Sequence, residues 1–322
     1  MRVIKTIWVV GIGGVGGYFG GRTAYALDKG NDARRVYFVA RGQHLQEIRE
    51  NGLILQCNED TIVCKPAGAS DDMSSLPRPD LCLVCVKSYD LEAAVQGLNT
   101  FIGDDTVVVP LLNGLDIYER TRKCLDKGIV LPACVYITSY IERPGKVVQN
   151  GPNKHVILGP SPHHPDFDPA ELLSLAAEMG LSFKWLDDPF AAIWQKYLLV
   201  GSFALVTAAY GMSFGEVLDH PAAKNDVSEA MREIIQLARK QGINLGIELI
   251  EKIIALMNGT PYQARSSFQR DLEQGRGKAE EDIFGAAIIR MGKELGISTP
   301  VTERMVRQIE MRYGRSGKTG LN

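Results

Sequence analysis

The 322-residue sequence predicts an α/β fold in which a doubly wound parallel sheet is followed by an all-helical C-terminal domain. Short β-branched runs alternate with helix-like stretches through the first half, and a glycine-rich turn follows the first of them. After Pro189 the apolar residues take up the spacing of amphipathic helices almost to the end. A chain of 322 residues also exceeds what one hydrophobic core usually fills, so two domains, 1–188 and 189–322, are expected.

In chain order, strands are expected at Val3–Val10, Val36–Ala40, Leu81–Val86, Thr106–Leu111 and Ile129–Tyr136. Helices fill Gly14–Lys29, Gln43–Glu50, Asp90–Thr100 and Gly114–Cys124 between them. Leu53–Cys57 and Thr61–Lys65 flank Asn58-Glu59-Asp60 and read as a hairpin inserted before the third main strand. From Lys146 to Trp185 the pattern is short strands, a Pro/His-rich loop and one helix, Pro169–Met179. The second half reads as helices at Pro189–Tyr210, Pro221–Gln241, Glu248–Asn258, Ala279–Leu295 and Pro300–Tyr313, with a polar tail at 315–322 expected to fray.

Composition narrows the functional classes. With 45% hydrophobic and 23% charged residues the chain is an ordinary globular one. Lysine and arginine, 36 together, nearly balance 38 acidic residues, so no long-range field favours nucleic acid or an anionic membrane as partner. The apolar start Ile7–Val10 is too short for a secretory leader, and no uninterrupted apolar run approaches the ~20 residues of a membrane span. A cytoplasmic location is the expectation. Cys82 and Cys85 lie three apart in a strand and so face opposite sides, which argues against a shared metal or disulfide, and no metal site is expected.

Gly11-Ile12-Gly13-Gly14-Val15-Gly16 matches G-x-G-x-x-G between the first strand and the first helix. In that setting Gly11 permits the turn, Gly13 lets a pyrophosphate approach the backbone, and Gly16 lets helix and strand pack closely, while the helix N-terminus favours phosphate charge. The second strand ends in Ala40-Arg41-Gly42, where an NAD-binding sheet carries an acidic residue for the ribose; Arg41 suits the 2′-phosphate of NADP instead. The fold expected is therefore Rossmann-type, with NADP as cofactor. His44 either stacks nearby or is an exposed helix-start residue. Lys87 and Asn113 follow the third and fourth main strands, at the carboxyl ends where open parallel sheets bind ligands.

Lys196 lies in the apolar run Ala191–Val200. It either snorkels to water or serves as a general acid, since apolar neighbours disfavour the ammonium and suit it to give up a proton.

Gly11–Gly16, Ala40-Arg41-Gly42-Gln43-His44-Leu45, Val86-Lys87-Ser88-Tyr89-Asp90, Asn113-Gly114, Trp194-Gln195-Lys196, Ser266-Ser267 and Lys278-Ala279-Glu280 together resemble the ketopantoate reductases (2-dehydropantoate 2-reductases) over almost the whole chain. The resemblance implies NADPH-dependent reduction of a 2-oxo acid, in that family ketopantoate to pantoate for pantothenate biosynthesis. Lys196 would then be the proton donor, Glu280 and Ser267 would help to place the substrate, and Lys87 and Asn113 would line the cofactor and substrate crevice. On their own, Ser267 reads as a helix cap and Glu280 as a solvated helical carboxylate.

The sequence also departs from the family. Val200, Ala204, Phe214 and Ala264 stand where asparagines are common, and one extra residue between Asp271 and Glu280 makes Glu281 the alternative to Glu280. The apolar replacements point to a bulkier, unhydroxylated 2-oxo acid, as for a D-2-hydroxyacid dehydrogenase. A non-catalytic NADP-binding sensor would need the glycine turn and Arg41 but not Lys196. The long apolar helices fit either a homodimer or a compact monomer.

Overall fold

The computed structural model describes residues 3–30, 32–275 and 279–314; Lys278 and the 315–322 tail lie outside the described residues. The chain divides into two compact units: 1–112 with 117–189, and 113–116 with 190–322.

In the first unit, β1 (Thr6–Val10) pairs in parallel with β2 (Arg35–Val39) on one side and β6 (Leu81–Val84) on the other. Such a strand is covered on both faces, which is why Ile7-Trp8-Val9-Val10 is a continuous apolar run and all four side chains are buried. Adding β5 (Gly68–Ser70), β7 (Val107–Pro110) and β8 (Ile129–Val130) completes a six-stranded parallel sheet in the order β5-β2-β1-β6-β7-β8. Helices α1 (Gly14–Lys29), α2 (Gly42–Asn51), α3 (Leu91–Leu98) and α4 (Ile117–Cys124) connect its strands.

The expected hairpin forms, as β3 (Leu53–Cys57) and β4 (Asp60–Cys64), but it belongs to a second sheet. There the long strands β9 (Ala133–Arg143) and β10 (Lys146–Leu158) run antiparallel, and β10 also pairs in parallel with β3 and with β11 (Ser182–Trp185), which follows α5 (Ala170–Glu178). The single strand expected at Ile129–Tyr136 is thereby split. Pro132 has no N–H to donate to a ladder, and the chain leaves the first sheet after Val130 and enters the second at Ala133. The two sheets share α1: a Cβ on Gly17 would lie 2.5 Å from Val147 of β10, so only glycine admits this approach.

The second unit is helical. It contains α6 (Pro189–Tyr210), α7 (Phe214–Asp219), α8 (Pro221–Lys240), α9 (Leu249–Met257), α10 (Ser267–Glu273), α11 (Ala287–Leu295) and α12 (Pro300–Tyr313). Among the described helices α6 alone has the length and hydropathy to suit a bilayer, and 67% of that window is buried within the protein. Proline opens α8 and α12 at positions where no intrahelical N–H is lost. The next donors of α12 go to Glu233 of α8, whose carboxylate accepts from Val301 N at 2.7 Å and Thr302 N at 3.0 Å.

The helix expected over Ala279–Leu295 is broken. Phe284 (φ −106°, ψ 91°) and Gly285 (φ 107°, ψ −62°) leave the helical region inside a short wide turn, Asp282–Ala286, that leads into α11. Gly285 presses on α12, where a Cβ would meet Val306 at 2.5 Å, so packing and not local propensity decides this break.

Candidate active site

The glycine turn leaves β1 with Gly11 at φ 93°, a conformation that favours glycine. Its glycines are held to that identity for different reasons. A Cβ on Gly16 would stand 2.0 Å from the Gly11 carbonyl oxygen, and one on Gly14 would stand 2.4 Å from the Ser139 carbonyl oxygen of β9. A Cβ on Gly13 would meet nothing within 4 Å. Packing within the protein therefore requires Gly14 and Gly16, whereas Gly13 faces open space. The first turn of α1 carries no acidic residue and its N-cap, Gly13, supplies no side-chain acceptor, so the helix presents its first N–H groups uncapped. That arrangement fits a dinucleotide pyrophosphate. Val15, the remaining residue of the motif, packs partly buried against the core.

Arg41 is the N-cap of α2 at the end of β2, 76% exposed, and its Nη2 is ion-paired with Asp90 Oδ2. Lys87 is exposed at the end of β6, as the N-cap of a 3₁₀ turn over Ser88–Asp90. His44 is not an exposed helix-start residue: it is partly buried, and its Nδ1 accepts from Gly145 N at 3.0 Å. Cys82 and Cys85 are both buried and burial pushes their thiols up; no cluster of three metal-ligating side chains occurs among the described residues.

In the second unit, Lys196 of α6 does not snorkel. It is 7% exposed, and its Nζ donates to Asn113 Oδ1 at 2.6 Å. Asn113 follows a strand of the first unit in sequence yet groups with the second through the short segment 113–116. Asp116 fastens that segment to α11 by an ion pair with Arg290. The next residue after the lysine, Tyr197, donates its hydroxyl to the Ile283 carbonyl and stacks on Phe284 at 6.4 Å and 12°, so the broken helix grips α6 beside Lys196. Enclosure pushes the Tyr197 hydroxyl far up, leaving it a structural donor.

Glu280 is 4% exposed and precedes the wide turn, so it is neither solvated nor helical, while Glu281 is partly exposed. The helix cap is Ser266 and not Ser267: Ser266 Oγ accepts from Gln269 N at 3.1 Å and bonds Thr207 Oγ1 at 3.1 Å, and Ser267 begins α10 partly exposed. Positions 196, 200, 203 and 204 follow helical spacing along one face of α6. That face continues from Lys196 into Val200, Phe203 and Ala204; Phe203 meets Phe214 edge to face at 5.8 Å, and Phe214 N donates to the Ala264 carbonyl at 2.9 Å. Sequence reasoning missed the Asp116–Arg290 pair and the Ser139 contact, which join residues remote in sequence and carry no local signature.

A Rossmann-type parallel sheet with an uncapped glycine turn, in a chain that also buries a lysine against an amide, defines a dinucleotide-dependent oxidoreductase. Comparison with known proteins gives the family. The model for ketopantoate reductase PanE/ApbA matches residues 7–163, and that for its C-terminal domain matches 189–312. The chain belongs to the ketopantoate reductase PanE/ApbA family. It is accordingly an NADP-dependent oxidoreductase of the class acting on CH–OH groups.

Among its relatives, the uncharacterized oxidoreductase YkpB of Bacillus subtilis is 27% identical over 94% of this chain and 97% of its own. A 2-dehydropantoate 2-reductase of Streptococcus pyogenes is 25% identical over 94% of this chain and 96% of its own. Among solved structures, a PanE/ApbA family ketopantoate reductase from Ralstonia eutropha superposes with a TM-score of 0.84 at 27% identity, covering 96% of this chain and all of the other.

Proposed function

We propose that this protein reduces a 2-oxo acid to the 2-hydroxy acid with NADPH, 2-dehydropantoate to pantoate being the family's reaction, and that Lys196 is the proton donor. The observation that carries the reading is the buried Lys196 ammonium held at 2.6 Å by Asn113 Oδ1. An amide oxygen takes one of its three N–H groups and fixes its direction without neutralising its charge. Held there, the ammonium can donate to a carbonyl oxygen, stabilise negative charge as it develops, and pass a proton to it.

NADPH supplies the hydride when bound. The N–H groups at the start of α1 would hold its pyrophosphate over the open side of Gly13, and Arg41 would take its 2′-phosphate in place of Asp90. Lys87 and Asn113 would help to place cofactor and substrate, and Ser267 and the buried Glu280 the substrate.

One observation favours a second reading of the substrate. The Lys196 face of α6 runs into Val200, Phe203 and Ala204 and against Phe214, a wall with no side-chain amide to meet a substrate hydroxyl. Such a wall suits a bulky, unhydroxylated 2-oxo acid, because a hydroxyl left without a partner costs ~1–3 kcal/mol. An NADPH oxidation screen over ketopantoate, 2-oxoisovalerate and phenylpyruvate, repeated with NADH, tests both. A strong preference for ketopantoate removes the second reading, and no turnover of any 2-oxo acid removes the first.

A further inference from the structure

Arg41 and Asp90 meet from opposite sides of the first strand. In the order β2-β1-β6, Arg41 follows β2 and Asp90 closes the 3₁₀ turn after β6, so the two flank β1 and its glycine turn at the carboxyl ends of the strands. Neighbouring strands lie ~4.8 Å apart, which sets β2 and β6 roughly 10 Å from each other, and the ion pair closes that interval. Asp90 is the N-cap of α3, a position from which an aspartate commonly folds back onto the first N–H groups of its own helix. Here its side chain makes no such bond, and Oδ2 pairs with Arg41 Nη2. The two ends are unequally held. The Arg41 side chain is 76% exposed, whereas that of Asp90 is 25% exposed on a backbone whose N–H donates to the Lys87 carbonyl at 2.9 Å. The guanidinium can therefore turn to another anion, while the carboxylate stays beside it.

We infer that Asp90 is a specificity-determining residue: its carboxylate competes with the 2′-phosphate of NADPH for Arg41, and so holds the preference for NADPH over NADH below what Arg41 alone would give. A 2′-phosphate on Arg41 is itself an anion and must break the existing pair, then lie within a few ångströms of the displaced carboxylate. The ribose of NAD brings no charge there, and its 2′-hydroxyl is the group that a carboxylate at such a strand end suits as acceptor. One side chain thus works against the phosphorylated cofactor and leaves room for the other. The inference rests on the reading of Arg41 as the 2′-phosphate residue.

The experiment is titration of the whole protein with NADPH and with NADH by nucleotide fluorescence, repeated on Asp90→Asn, Arg41→Ala and the double variant, with a thermal melt of each. Asparagine keeps the shape of the side chain and caps a helix as well as aspartate does, so Asp90→Asn removes the charge and little else. Asp90→Ser, a second neutral cap, guards against a folding defect peculiar to one variant. Both should melt with the unmodified protein and bind NADPH about threefold more tightly, as fits the loss of an exposed counter-charge. NADH affinity should stay the same or fall by less than about twofold. Because the competition is for Arg41, the gain in NADPH affinity should shrink when Asp90→Asn is made in the Arg41→Ala background.

Unchanged or weaker NADPH binding in both Asp90 variants overturns the inference, and weaker binding would make the carboxylate a brace that orients Arg41 for the phosphate. A gain of equal size with and without Arg41 also overturns it, since bare charge and not competition would then be at work. Equal NADPH affinity in Arg41→Ala and the unmodified protein removes the reading beneath the inference, a result distinct from these.

Discussion

The two units build their sites from different materials. In the first, the cradle is made of backbone: a turn at φ 93°, an uncapped helix start, and an open side at Gly13. In the second, the centre is made of side chains brought from separate places, with Lys196 on α6, Asn113 in a segment 83 residues earlier, and Tyr197 held through the broken helix before α11. A site made of backbone must be written as a run of glycines, since any side chain would occupy it. A site made of side chains leaves only single residues scattered in the chain, each of which has an ordinary alternative reading.

Substitutions can break this contrast. The largest effect is expected from Lys196→Ala, which removes the proposed proton donor: kcat should fall ~10²–10⁴-fold while NADPH affinity stays nearly intact. An unaltered rate would dismiss the acid role. Next come two alanines in one motif. Gly16→Ala forces a Cβ onto the Gly11 carbonyl and should destabilise the fold by ~1–3 kcal/mol, seen as a lower melting temperature. Gly13→Ala meets nothing in the protein and should melt normally yet bind NADPH poorly. If both behave alike, the turn is structural and not a cradle.

A smaller change is expected from Arg41→Ala. Losing a charged partner for the 2′-phosphate should cost NADPH roughly tenfold in affinity and leave NADH nearly untouched, read as the ratio of the two dissociation constants. The smallest tests whether side chains also hold the scaffold of the second unit. Burial pushes the Asp226 carboxyl up, but the bonds from Arg304 (2.7 and 2.9 Å) and Tyr210 (2.8 Å) outweigh it and hold the carboxyl below its ordinary 3.8. A depressed native value means that the unfolded chain takes up the proton first. The stabilisation is thus present above pH 3.8 and lost as pH falls through the lower native value. Asp226→Asn should lower the neutral-pH stability by about 1 kcal/mol and flatten the acid limb of a melting-temperature profile. An unchanged acid limb would free Asp226 of that role.

The contrast also accounts for what could be read in advance. The limits of α1, Gly14–Lys29, and of α6, Pro189–Tyr210, coincide with those expected, because a glycine turn fixes one start and a proline the other. The second sheet was not legible. Its strands come from either side of the chain, β3 and β4 well before β9 to β11, and strand partners at that separation leave no periodic trace. Nor was the break at Phe284-Gly285, since the run from Ala279 to Leu295 has helical spacing and only the pressure of α12 on Gly285 interrupts it. Ser266 and Ser267 are adjacent hydroxyls with the same local pattern, and only the fold shows which one caps α10.

By itself the sequence determined the α/β class, the position of the glycine turn and the identity of the cation in α6, because these depend on local sterics and on residue type. The tertiary structure alone decided that Lys196 is buried with Asn113 as a partner, that Glu280 is enclosed and not solvated, and that His44 is partly buried with its Nδ1 accepting from Gly145 N. Local geometry propagates over a few residues and is visible in a string of letters. Burial and partnership are set by chain segments that meet only after folding, and no short stretch contains them.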